Sequence, residues 1–129
     1  MAGIRRFEDI EAWQLARRLT KAVYAYSSKG SFARDFGLRD QIRRASVSIM
    51  SNIAEGFERE GAAEFSQFLA VAKGSAAEVR AQLYVALDQG YVTAAEFEEV
   101  FALAESVRKL IAGFQKYLRV PKMRGQRFV

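Results

Sequence analysis

Residues 38–57 read LRDQIRRASVSIMSNIAEGF, and the spacing of their apolar and small positions decides the fold. Leu38, Ile42, Ala45, Ile49, Asn52 and Gly56 recur at alternating steps of four and three, with Ile53 and Phe57 beside them. Side chains three and four apart share one face of an α-helix, so this stretch predicts a long amphipathic helix over 36–58. Gln41, Arg44, Ser48, Ser51 and Glu55 form a polar stripe next to the seam.

The same period continues in both directions. Upstream, Ala12, Ala16, Leu19, Val23 and Tyr26 make an apolar stripe, widened by Trp13, Thr20 and Tyr24, and predict a helix over 9–28. Ser27 to Ser31, with Gly30, reads as its stop and turn. Downstream, Phe65, Phe68, Leu69, Ala72, Ala76, Val79, Leu83 and Ala86 predict a helix over 61–88, ended by Gln89-Gly90. A last helix over 94–118 follows Thr93, an N-cap with Glu96 three residues on in the capping-box pattern. The chain's one proline, Pro121, lies beyond all four segments, as long helices require.

Four long helices with short connections predict an all-α antiparallel up-down-up-down four-helix bundle over residues 1–118. Residues 119–129 read as a flexible basic tail. Apolar residues off the main stripes, Val47, Met50, Val71, Ala77 and Val85, exceed what a monomer needs and point to a homo-oligomer. Ala70, Ala72, Gly74, Ser75, Ala76 and Ala77 make the middle of the third helix small enough for close helix approach.

Composition narrows the function. The 129 residues contain no cysteine and no histidine, which removes disulfides, thiolate metal sites and the usual neutral-pH general base. No Glu-x-x-His pair supplies a bundle metal site, so neither metal nor cofactor is expected, and the chain does not read as an enzyme. The first residues lack a signal-peptide pattern and no run is apolar enough to span a membrane, so a cytoplasmic protein is expected.

Charge is unevenly placed. Net charge is +5, with 11 basic and 8 acidic groups in residues 1–60, 5 and 7 in 61–118, and 4 and none in 119–129. Folding the first two helices back about Phe32 sets Lys21 level with Arg43 and Arg18 with Ser46. Arg17, Arg18, Lys21, Arg39, Arg43 and Arg44 would then form one band, joined by Lys122, Arg124 and Arg127 of the tail. Such a band attracts phosphates, and arginine's planar fork suits them. The competing arrangement pairs these arginines with Glu11, Asp35, Asp40 and Glu55 in surface ion pairs of little individual worth. Asn52 falls in the seam and is expected to fix helix register, Glu55 is expected to pair with an arginine or cap a neighbouring helix, and the two together are read as a polar core that locks the bundle.

Three stretches, FEDIEAWQLA at 7–16, GLRDQIRRA at 37–45 and SIMSNIAEGF at 48–57, resemble the bacterial four-helix-bundle family of 23S ribosomal RNA intervening-sequence proteins. Phe65 to Val79 and Gly90-Tyr91 continue the likeness, which covers about residues 7–118. The resemblance implies a pentameric ring of bundles. It also suggests kinship with the accessory variability determinant of diversity-generating retroelements, a basic pentamer that binds nucleic acid and a reverse transcriptase. Met50 stands where the family usually has proline, which predicts a straighter second helix. The expected function is therefore a non-catalytic oligomer that contacts RNA or DNA through its arginines. The alternative is a protein-interaction scaffold with no nucleic-acid contact.

Overall fold

The structure is a computed structural model that describes residues 3–120. A 3-10 turn at Phe7–Asp9 leads into α1 (Glu11–Ser27), a short α2 (Gly30–Arg34), and the long α3 (Phe36–Phe57), α4 (Ala62–Asp88) and α5 (Ala94–Leu118). There is no strand among the described residues.

Each long helix turns one apolar stripe inward. Leu19, Ile49, Ile53, Leu69, Val79, Val107 and Ile111 are all but inaccessible to solvent, and together they form one continuous core. Burial of this kind contributes roughly 25 cal/mol per Å² of apolar surface and drives the assembly of the helices. Thr93 accepts a hydrogen bond from the Glu96 N–H while Glu96 accepts one from the Thr93 N–H, so α5 starts with the expected capping box. α3 runs unbroken through Met50.

The segment read as a simple turn carries α2 instead. Gly30, at φ +53°, admits the reversal, and Phe32 of α2 is buried and stacks on Tyr91 at 5.3 Å. Asp35 then caps α3 by accepting from the Leu38 N–H at 3.1 Å and accepts the Tyr91 hydroxyl at 2.9 Å. One buried aromatic thus turns a linker into a plug between α1 and α3.

α3 packs on α1 and α4, α5 packs on α4 and α1, and α1 and α4 sit at opposite corners. Between α3 and α4, Gly56 meets Phe65 and Phe68, Ser48 meets Ser75, and Gln41 meets Gln82, so numbers fall along one helix as they rise along the other. The α4–α5 pairs behave alike: Gln115 donates to the Ser66 carbonyl, Arg80 pairs with Glu105, and Tyr84 packs on Phe97. At Gly56 α3 and α4 pack closely. A Cβ there would lie 2.7 Å from both the Phe65 ring and the Phe68 Cβ.

Candidate functional site

A polar seam runs between α3 and α4. Asn52 is half-buried, and its Nδ2 donates to the Ser48 carbonyl at 2.8 Å and the Ser48 hydroxyl at 3.0 Å, one turn back on its own helix. The Ser48 hydroxyl in turn meets that of Ser75 at 2.9 Å. Hydrogen bonds thus link Asn52 to α4 through Ser48. Glu55, expected among the locking groups of the core, lies on the surface with its side chain 53% exposed and pairs with Arg59 at 3.2 Å. The expected arginine partner is present, but the place in the core is corrected: its angular position puts Glu55 on the outer side of the stripe, where the next turn supplies the partner.

The expected single band of cations does not form. Arg43 donates from Nε to the Ser27 hydroxyl at 2.8 Å and from a terminal nitrogen to that of Ser28 at 2.9 Å, with its guanidinium 4.5 Å from the Tyr24 ring. It is level with residues 24–28, whereas the mirror about Phe32 had set it beside Lys21. The reason is α2: residues 28–35 form a turn and a short helix, and the symmetric hairpin assumed for the register is absent. Arg39 is also engaged, donating to the Ala33 carbonyl, pairing with Asp40 at 3.0 Å and lying 4.8 Å from the Phe36 ring. Both arginines are partly shielded from solvent and serve the junction around α2.

Arg17, Arg18, Lys21 and Arg44 are exposed and have no hydrogen-bond or ion-pair partner among the described residues. Arg44 lines a polar groove of about 330 Å³ between α3 and α4, with Gln41, Ser48, Glu78 and Gln82. Arg18 and Lys21 line a different groove, of about 420 Å³, between α1 and α5. Arg18 and Lys21 thus lie on one side of the bundle and Arg44 on another. Lys122, Arg124 and Arg127 lie outside the described residues.

The α1–α5 groove holds residues that sequence reasoning missed. Lys29 stands on its rim, with Nζ 5.5 Å from the Tyr26 ring. Tyr26 donates its hydroxyl to Glu99 across the groove at 2.6 Å, and this bond to a carboxylate raises the phenol's pKa above its ordinary value. A signal existed: Lys21, Ala25 and Lys29 are spaced by four, so Lys29 continues the basic edge of α1 past the point where the helix ends.

The other corner is chemically opposite. Ala63, Ala70, Gly74, Ala77, Ala81 and Val85 are all exposed along the outer side of α4. Together with Gln67, positions 63 to 81 repeat the four-three spacing on the face away from the core, and Val85 lies one turn further on. Val71, Tyr84 and Val85 are 53%, 51% and 45% exposed. Tyr84 continues into Phe97 and Phe101 of α5, with ring centroids at 5.0 and 5.7 Å. No cluster of three or more potential metal ligands occurs among the described residues, and no described helix is long and apolar enough to cross a membrane.

An all-α bundle with a cationic corner and an apolar one is the class that fold and surface define. The family model for the 23S rRNA-intervening sequence proteins matches residues 8–113, and the chain belongs to that family. A crystal structure of a protein of unknown function from Bacteroides thetaiotaomicron, of the S23 ribosomal protein family, superposes with a TM-score of 0.74 at 21% identity, covering 81% of this chain and 98% of that one. At that identity it establishes a shared fold. No curated protein matches the chain.

Proposed function

We propose that this protein is a non-catalytic, self-associating helical binding module of the cytoplasm, and that copies meet through the outer face of α4. The four long helices read as an up-down-up-down bundle, and the family likeness favours a closed ring of five. One observation carries the proposal: α4 is apolar on both faces although only one of them meets the core of this bundle. Exposed apolar surface that meets no core within its own chain marks interaction sites. Its alanines and glycine let a second backbone approach closely.

Light scattering tests this. The wild-type chain is expected at a multiple of its 14.5 kDa monomer mass, and Ala70→Glu with Ala77→Glu is expected to give helical monomers. A monomeric wild type at about 100 μM, where weak micromolar association would still register, would refute the reading.

A second reading, contact with RNA or DNA, is favoured by the exposed, unpartnered Arg17, Arg18, Lys21 and Arg44. Lys122, Arg124 and Arg127 would add to it, whereas Arg39 and Arg43 drop out as principal contacts because their guanidinium groups are engaged. Each phosphate neutralised steepens the fall of affinity with salt by about 0.7 to 0.9 in log–log slope. Arg17→Glu with Arg18→Glu should flatten that slope, and an affinity indifferent to salt would exclude the contact.

A further inference from the structure

The groove between α1 and α5 has a composition of its own. Its floor is aliphatic, made of Ala22 and Ala25 from α1 and Leu103 from α5. A smaller hollow of about 170 Å³, floored by Leu15 and Leu110, also takes Arg18 into its lining. From Leu15 to Ser27 the two hollows lie beside about 18 Å of α1 at 1.5 Å per residue, just over three helical turns. The groove's rim on the α1 side carries Arg18, Lys21 and Lys29, none with a carboxylate partner. Glu99 on the opposite wall is held by the Tyr26 hydroxyl, and Glu11 stands at the far end of the smaller hollow.

We infer that this groove docks an acidic amphipathic helix of a partner protein. The apolar floor matches a ligand stripe at i, i+3, i+4 and i+7, and the cationic rim matches acidic residues flanking that stripe. The alanines bring the two helices close, and complementary charge speeds and orients the encounter. A nucleic acid uses the surface less well. Its phosphates would meet the three cations, but the floor offers no free ring for a base, since Lys29 lies over Tyr26 and the phenol is bonded to Glu99. The proposal concerns the corner opposite α4 and is independent of self-association there.

The probe is a fluorescein-labelled 15-residue peptide with leucines on one helical face and glutamates flanking them, titrated by anisotropy at low salt. It should bind at least about tenfold more tightly than a scrambled peptide of identical composition and than a single-stranded RNA of equal length. Lys21→Glu should weaken it about tenfold by reversing a rim charge. Ala25→Lys separates shape from charge: it adds a cation but fills the floor, so peptide affinity should fall while RNA affinity holds or rises. Circular dichroism should show both variants fully helical. No peptide binding up to about 1 mM, equal binding of the scramble, or tighter binding of RNA would each overturn the proposal. So would an Ala25→Lys variant that binds the peptide as well as the wild type.

Discussion

α1 and α4 stand at opposite corners of one bundle, each packed on α3 and α5, and they differ in everything except the face they bury. α1 buries Ala12, Ala16, Leu19 and Val23 and gives its outer side to Arg17, Arg18 and Lys21. α4 buries Phe65, Leu69, Ala72, Val79 and Leu83 and gives its outer side to alanines, Gly74 and Val85. The inner faces answer to one requirement, the exclusion of water from a shared core. The outer faces answer to none inside this chain. The molecule therefore has a charged corner and an apolar corner on opposite sides.

The contrast between inside and outside on α4 is tested most severely by deletion of side chain. Leu69→Ala should cost about 3 kcal/mol in urea denaturation, because Leu69 is wholly buried and its neighbours close the hole only in part. Val71→Ala, two residues away and half exposed, should stay within about 0.5 kcal/mol for an isolated bundle. A Val71→Ala cost above about 1 kcal/mol would break the contrast, revealing that this face is covered in solution.

A smaller effect with opposite signs comes from one substitution at two glycines. Gly56→Ala forces a methyl against Phe65 and Phe68 and should destabilise by about 1–3 kcal/mol. Gly74→Ala meets nothing within 4 Å and should stabilise the monomer by roughly 0.5–1 kcal/mol through helix propensity. If copies pack through α4, the same Gly74→Ala should loosen the assembly, as read by light scattering at falling concentration.

The weakest effects are expected from pH. Asp9, ahead of α1, accepts hydrogen bonds from the Arg5 and Arg6 N–H groups, and Glu105 is held by Arg108 and Arg80 beside α4. These contacts set both carboxyl pKa values below their ordinary ones. A depressed folded pKa stabilises the fold above the unfolded value, so this share is complete above about pH 4.5 and lost as pH falls through the lowered values. Tyr26 and Tyr91, bonded to Glu99 and Asp35, have raised values, so their share is present below about pH 10 and lost as pH rises further. Asp9→Asn should flatten the acid limb on the α1 side and Glu105→Gln on the α4 side. Unchanged acid limbs in both variants would show that these contacts do not shape the pH profile.

Much of this was legible from residue spacing. The stripes through Leu19, Ile49, Leu69 and Val107 follow directly from a helical period, and the Thr93–Glu96 box is a local pattern that closes within four residues. The off-stripe Val71, Ala77 and Val85 already announced a second apolar face on α4. What spacing missed involves contact between segments. α2 was hidden because five residues carry little periodicity, and only the burial of Phe32 against Tyr91 makes them a helix. Glu55 was expected inward because its stripe borders the seam, and a shift of one helical position separates border from surface.

Local rules therefore determined which residues are helical, where the helices begin, and which face of each turns inward, since these depend on neighbours three and four places along the chain. Only the tertiary structure decided which cations share a surface. Helix register is set by the shape of the intervening connection, and α2 slid α1 against α3 far enough to seat Arg43 on Tyr24 and the serines. The spacing of Lys21, Ala25 and Lys29 already set one basic edge on α1, and the packing of α5 beside that edge made it the rim of a groove.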